Sequence, residues 1–225
     1  MSRKVGVVLS GCGFLDGSEI HESVCLLMHL ARHGLEAVCM APRGPQRHVV
    51  DHGTREPVPG ATRDIFTESA RIARGRLVDL ATVAATDLHA VVMPGGFGAA
   101  KNLCDFAFAG AGATAHPDVA RLLRSMHAAK KPIGAICIAP ALVATVLGKT
   151  AHPTLTIGDD PATAAALVQL GAHHRDCPVT ECVIDHEQRI VTTPAYMYEA
   201  SVHEISQGIG KLVDALAVML AGSGR

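Results

Sequence analysis

Aromatic residues are scarce in this sequence: they make up 3% of it, and tryptophan is absent. Proteins that bind single-stranded nucleic acid stack bases on aromatic side chains, so this scarcity argues against that class. The net charge is also small: 20 lysines and arginines nearly balance 21 aspartates and glutamates, which leaves a formal charge of -1. Without a basic patch that could neutralise phosphates, we expect no nucleic-acid partner.

The sequence also lacks an apolar run of the roughly 18 to 20 residues that a membrane-spanning helix needs. The apolar run at residues 5–9 is too short for the core of a signal peptide. It leads into Gly11-Cys-Gly rather than into a cleavage site. We therefore expect a cytoplasmic protein without a membrane partner.

Paired cysteines are absent too, since the seven cysteines are odd in number and no two of them form a CxxC pair. A disulfide framework needs an even set at recurring spacings, so we expect reduced thiols. Most of them should be small buried hydrophobic residues. The seven are Cys12, Cys25, Cys39, Cys104, Cys137, Cys177 and Cys182.

Metal-ligand spacing is missing although the chain has 13 histidines. His29 and His33 lie one helical turn apart, and His173 and His174 precede two cysteines. Neither set reproduces the ligand spacing of a zinc site. We therefore expect no metal.

What the sequence does have is an apolar fraction of 48%, which is ample for a buried core. Short apolar runs alternate with helical periodicity, as in α/β domains whose helices cover a mostly parallel sheet. Strands are predicted at residues 5–9, 35–40, 90–93, 132–136, 155–157, 182–184 and 189–193, and helices at 19–33, 119–129, 139–147, 161–170 and 198–220. Residues 43–62 are predicted as a hairpin excursion, and residues 1–225 as a single domain.

Cys137 differs from the other cysteines because an apolar strand gives way to a helix at its position, in residues 131–142 (KPIGAICIAPAL). Such an elbow lifts one side chain above the carboxyl edge of the sheet, where α/β proteins bind ligands. The helix N-terminus would lower the pKa of the thiol and make it nucleophilic. A buried packing cysteine explains the local pattern equally well.

Two further segments fit a reactive thiol. Gly95 and Gly96 follow the strand at residues 90–93, and their N–H groups, with that of Ile138, would form an oxyanion hole. An ordinary Gly-rich turn is the alternative. Glu22 lies in the first turn of the first predicted helix, where a carboxyl could move a proton to and from a bound carbonyl compound. A solvated carboxylate favoured by the helix dipole is the alternative for Glu22.

Five segments together resemble the PfpI-type, class I glutamine amidotransferase-like superfamily, and within it the ElbB branch of glyoxalases and isoprenoid-biosynthesis-associated proteins. The resemblance spans nearly the whole chain and implies a flavodoxin-like three-layer sandwich, with a mostly parallel sheet and helices on both faces. Homodimers are common in this superfamily, so we expect one here. The segments are residues 11–22 (GCGFLDGSEIHE), 92–103 (VMPGGFGAAKNL), 134–140 (GAICIAP), 155–158 (LTIG) and 190–197 (IVTTPAYM).

The resemblance also implies a site. Cys137 matches the nucleophile of the family and Glu22 its acidic partner, while Gly95, Gly96 and Ile138 match its oxyanion backbone. Peptidase-like members carry a histidine directly after the nucleophile, and amidotransferases carry one after a late strand. This chain has Ile138 at the first position and no histidine in residues 193–197, which disfavours both activities.

These residues lead to a hypothesis of glutathione-independent glyoxalase activity without a cofactor. The Cys137 thiolate would add to a small dicarbonyl, and Glu22 would shuttle a proton until water releases glycolate or lactate. Deglycation of lysine and arginine adducts would require an open pocket. The alternative is a redox-responsive binding protein in which Cys137 is an oxidisable sensor. A scaffold in isoprenoid metabolism has no residue to support it.

Overall fold

The computed structural model of the protein describes residues 2–222. Its strands are β1 (Lys4–Val8), β2 (Glu36–Ala41), β3 (Val78–Asp79), β4 (Ala90–Met93), β5 (Ile133–Ile136), β6 (Thr154–Leu155), β7 (His173–His174), β8 (Val183–Asp185) and β9 (Ile190–Thr193). Its α-helices are α1 (Ile20–Arg32), α2 (Ile65–Ile72), α3 (Phe97–Lys101), α4 (Phe106–Ala109), α5 (Pro117–Ala128), α6 (Ala139–Ala151), α7 (Pro161–Gln169) and α8 (Val202–Gly222).

Seven of these strands form one sheet in the order β3-β2-β1-β4-β5-β9-β8. All neighbours pair in parallel except β8, which pairs antiparallel with β9. The central strands are apolar and buried, as expected for a sheet covered on both faces. Because parallel strands end at the same edge, the residues that follow β4, β5 and β9 meet there.

A hydrophobic core lies on each face of the sheet. Helices α5 and α6 contribute Leu122, Met126 and Leu142 to one core. Helices α1 and α8 contribute Leu26 and Leu212 to the other. The predicted flavodoxin-like three-layer sandwich, mostly parallel with helices on both faces, is confirmed.

Helix α8 starts later than predicted, at Val202 instead of residue 198. Ser201 and Glu204 form reciprocal bonds: the Ser201 N–H donates to Glu204 Oε2 at 2.9 Å, and the Glu204 N–H donates to Ser201 Oγ at 3.3 Å. This capping box fixes the first turn of the helix after Ser201. Residues 195–197 form a separate 3-10 turn that begins with a positive φ at Ala195.

Helix α8 is long and apolar enough to cross a membrane, with 21 residues and a mean hydropathy of 1.3. Among residues 2–222 it is the one helix that meets this criterion, and half of it is buried. Its apolar face packs against α1 and β9. It is therefore built as a core helix of the sandwich.

Two further predicted segments, the strand at residues 155–157 and the hairpin excursion at residues 43–62, can be compared with the structure. The strand predicted at residues 155–157 is the short β6, which pairs with β7 in a separate two-stranded sheet. Directly after β6, the Thr156 N–H donates to the Thr192 side chain at 2.9 Å rather than to a strand backbone. Residues 43–62 form the predicted hairpin excursion, closed by a bridge between Val50 and Pro57.

Candidate active site

Cys137 occupies a strained bend between β5 and α6. Its φ of 60° lies in the left-handed region, which non-glycine residues rarely adopt. Its N–H donates to the Thr193 carbonyl of β9 at 2.9 Å, and α6 begins two residues later at Ala139. This geometry is the nucleophile elbow that the sequence predicts, at the carboxyl edge of the sheet.

Glu22 lies beside Cys137 and is completely buried. Its carboxyl approaches the Cys137 side chain and accepts two backbone bonds. Gly95 N–H donates to Oε2 at 2.8 Å, and Tyr196 N–H donates to Oε1 at 3.3 Å. The carboxyl of Glu19, the N-cap of α1, accepts the Glu22 N–H at 2.7 Å. Glu22 is thus a buried partner of the thiol and not a solvated surface carboxylate.

Burial controls the protonation of both groups. Burial, followed by the negative charge of Glu19, raises the pKa of Glu22 to about 8. Burial, followed by the charge of Glu22, also raises the pKa of Cys137, although N–H groups of Gly96 and Ile138 act to lower it. The expectation that the helix N-terminus lowers the Cys137 pKa is wrong, because desolvation outweighs these hydrogen bonds. The resting pair therefore retains its protons at neutral pH.

The loop after β4 fits tightly against the elbow. A Cβ at Gly95 would lie 2.4 Å from Cys137 Cβ and 2.8 Å from Glu22 Oε2. Gly95 therefore has to be glycine, and its N–H is already donated to Glu22. The oxyanion role of Gly95 stays a prediction, and its N–H would have to leave Glu22 to fulfil it. The N–H groups of Gly96 and Ile138 remain next to the sulfur.

Two adjoining cavities open above the pair. The inner cavity has a volume of about 310 Å³ and is lined by Phe14, Glu19, Gly96, Phe97, Cys137, Ile138, Thr163, Tyr196 and Met197. The outer cavity has a volume of about 560 Å³ and shares four of these residues; its further lining residues are His21, Arg55, Tyr198, Glu199 and Ala200. Apart from Gly96, Cys137 and Ile138, these lining residues were not predicted from the sequence, because α1, the hairpin excursion and the turn after β9 meet only in the fold.

The remaining cysteines are packing residues, as expected. Burial is the largest cause that raises the pKa of Cys39, Cys177 and Cys182 to about 11 and that of Cys104 to about 12. Cys12 and Cys182 are partly exposed, and the others are buried. Within residues 2–222, no three His, Cys, Asp or Glu side chains converge on a possible metal position.

Comparison with known proteins identifies close relatives of the whole chain. The human glutamine amidotransferase-like class 1 domain-containing protein 3, mitochondrial, is 45% identical over 221 residues, which cover 94% of this chain and 81% of the relative. The Danio rerio ES1 protein, mitochondrial, is 34% identical over 235 residues, which cover 98% and 87%. No protein-family model matches the chain.

These relatives correct the expected location. Both are named as mitochondrial proteins, as is the rat ES1 protein homolog. The prediction of a cytoplasmic protein is therefore wrong. It rested on the lack of a membrane-spanning run and of a secretory signal peptide. Mitochondrial import uses neither feature and depends on an amphipathic, Arg-rich targeting segment.

Solved structures agree with the sequence relatives. An isoprenoid biosynthesis protein with an amidotransferase-like domain from Ehrlichia chaffeensis has a TM-score of 0.89 at 37% identity, covering 96% of this chain and 99% of that one. Drosophila melanogaster DJ-1beta shares the fold, with a TM-score of 0.57 at 21% identity over 99% of this chain and 97% of that one. The resemblance stated from the sequence is confirmed. The chain belongs to the ES1 family of glutamine amidotransferase-like class 1 proteins, which have the DJ-1/ThiJ/PfpI fold.

Proposed function

We propose that this protein is a cofactor-independent glyoxalase that converts glyoxal to glycolate or methylglyoxal to lactate. The observation that carries the proposal is the close approach of the buried Glu22 carboxyl to the Cys137 side chain, which lines the inner cavity. A thiol that forms an adduct and a carboxyl that moves a proton are the two groups that this isomerisation requires.

The first step joins the thiol to the substrate. The pair first releases one of its two protons to solvent. Cys137 sulfur then bonds to one aldehyde carbon, the carbonyl π electrons move to the oxygen, and that oxygen takes the remaining proton of the thiol–carboxyl pair. The product is a hemithioacetal, and Glu22 is left as a carboxylate. The N–H groups of Gly96 and Ile138 lie beside the sulfur, where they can stabilise charge on the oxygen of the adjoining carbon.

The second step is a proton transfer between the two carbons. Glu22 removes the proton from the sulfur-bearing carbon, which gives an enediolate, and returns it to the neighbouring carbon. The hydroxyl proton of the first carbon leaves and the second oxygen gains a proton, which gives a thioester. Water then hydrolyses the thioester, releasing the hydroxy acid and restoring the thiol. Holding the carboxyl next to the adduct supports this transfer because proximity replaces an encounter with a solvent base.

A redox-sensor function is less well supported by the same geometry. Sensor cysteines are typically exposed and have a low pKa, whereas Cys137 is 7% exposed and burial raises its pKa. Turnover separates the two functions, since a sensor would be oxidised once without forming product repeatedly. Deglycation of protein adducts belongs to the same chemistry and would use the outer cavity.

The test is glycolate formation from glyoxal by the purified protein and its variants. Cys137→Ser should abolish turnover, because a serine hydroxyl lacks the nucleophilicity of the thiolate. Glu22→Gln should lower kcat by about 10² to 10⁴-fold, because an amide cannot take a proton from carbon.

Matched controls separate chemistry from folding. Cys12→Ser changes a partly exposed thiol outside the two cavities, and Glu187→Gln changes an exposed carboxyl in the β8–β9 turn. Both should retain the wild-type rate, and all four variants should melt cooperatively. Wild-type rates in Cys137→Ser, or no product from the wild type, would refute the proposal.

A further inference from the structure

The turn after β9 places a tyrosine in the wall of the inner cavity. Ala195 is fully buried and has a φ of 43°, so the chain bends sharply before Tyr196. The Tyr196 N–H donates to Glu22 Oε1 at 3.3 Å, while its side chain lines both the inner and the outer cavity. Tyr196 therefore contacts the carboxyl of the thiol–carboxyl pair and shares the wall of the inner cavity with Cys137.

A histidine reaches the same place from α1. His21 precedes Glu22 in the chain, is exposed, and has its Nδ1 at 2.9 Å from Tyr196 Oη. Residues 194–197, directly after β9, contain no histidine. The imidazole that contacts the Tyr196 hydroxyl in this turn is that of His21. Burial, followed by Glu19 and Glu22, raises the pKa of Tyr196, so the phenol keeps its proton at neutral pH.

We propose that the Tyr196 hydroxyl is a further catalytic acid, which protonates the substrate oxygen remote from Cys137, and that His21 relays a proton to it from water. The inference rests on the proposed glyoxalase function. It assigns a residue to the protonation of the second substrate oxygen, which Glu22 does not perform. When the enediol forms, negative charge develops on that second oxygen, and a donor in the cavity wall is needed to neutralise it.

The proton transfers balance. Glu22 takes the proton of the sulfur-bearing carbon, the π electrons of the second carbonyl move to its oxygen, and that oxygen takes the Tyr196 proton. His21 gives its Nδ1 proton to the tyrosinate and takes one at Nε2 from water. Glu22 then protonates the second carbon, and the hydroxyl proton on the first carbon leaves to water as the thioester forms.

The test compares Tyr196→Phe with a variant that loses a hydroxyl outside both cavities. Tyr196→Phe removes the hydroxyl but keeps the backbone N–H on Glu22. Thr150→Val is the matched control, since the Thr150 hydroxyl on α6 donates to the Leu147 carbonyl at 3.2 Å and lines neither cavity. We expect kcat for glyoxal to fall about 100-fold in Tyr196→Phe, with KM nearly unchanged, and to stay at the wild-type value in Thr150→Val.

Two further readouts separate catalysis from structure. Cys137 should react with iodoacetamide at the wild-type rate in Tyr196→Phe, because the thiol–carboxyl pair is intact. His21→Gln should lower kcat in the wild-type background and add nothing in the Tyr196→Phe background, as expected for residues acting in one relay. A Tyr196→Phe variant as active as Thr150→Val would overturn this inference alone. A wild type without turnover would overturn the proposed function and this inference with it.

Discussion

The Cys137 thiol and the Glu22 carboxyl lie together away from water and each shifts the pKa of the other, so they lose protons as one unit. A carboxylate beside a thiol and a carboxylic acid beside a thiolate contain the same number of protons, and a pH profile cannot tell them apart. A pH profile does report the loss of the first proton. Because the Glu22 pKa is about 8, this proton is lost above neutral pH. The reactive form of the pair is therefore the form that appears as pH rises.

Iodoacetamide labelling of Cys137 should consequently rise with pH, with a midpoint near the Glu22 pKa of about 8. Peptide mapping after short labelling pulses measures the rate at this one cysteine. In Glu22→Gln the midpoint should move, because the amide does not titrate and the thiol alone is left to lose a proton. A step that persists unchanged in Glu22→Gln would assign the titration to another group.

The same shift makes folding stability depend on pH. The Glu22 pKa of about 8 in the folded protein lies above its ordinary value of 4.5, so the folded chain holds a proton that the unfolded chain releases. This stabilisation is complete below the ordinary value and is lost as pH rises to the folded value, by about 1.4 kcal/mol per pH unit. The melting temperature of Glu22→Gln, compared with the wild type across this window, should fall less steeply with rising pH.

At the level of elements, the loop from β4 to α3 approaches the elbow between β5 and α6 closely because Gly95 has no side chain. Gly95→Ala would place its methyl group 2.4 Å from Cys137 Cβ, so either the elbow or the loop must move. Overpacking of this kind costs about 1 to 3 kcal/mol, and the shift would also break the Glu22 contact. We expect a lower melting temperature and loss of glycolate formation.

Gly112→Ala is the matched control for this substitution, because a methyl group there meets no atom within 4 Å. It should leave both melting temperature and activity unchanged. If Gly95→Ala matched this control in both measurements, the close approach of loop and elbow would not constrain the site.

Sequence patterns predict the long elements well and the short ones poorly. The strand at residues 90–93 and the elbow at Cys137 were predictable because apolar runs and turn residues mark them locally. Helices α3 and α4, of five and four residues, are too short to show a helical period. The neighbours of Glu22 depend on three separate segments meeting, which no local pattern contains. For the same reason, the sequence could suggest a lowered Cys137 pKa but not the burial that raises it.

For the whole molecule, the exposed face of α1 is the feature the fold leaves unexplained. Ile20, Val24 and Met28 recur every four residues, so they lie on one face of the helix, and they are 44%, 54% and 53% exposed. The opposite face packs on α8 and carries Glu22. An exposed apolar stripe of this kind is typical of a surface that binds another protein. The prediction of a homodimer, made from the resemblance, would place this stripe at a two-fold interface.

The double substitution Val24→Glu, Met28→Glu tests that prediction in solution. Both side chains point to solvent in one chain, so the charges should cost the fold little, whereas at an apolar interface they would be buried and unpaired. We expect the wild type to have the mass of two chains by light scattering after gel filtration, and the double variant the mass of one. Val218→Glu, on α8 and 72% exposed, is the control and should remain a dimer. A wild type with the mass of one chain would rule out the homodimer, and a double variant that remains dimeric would move its interface away from α1.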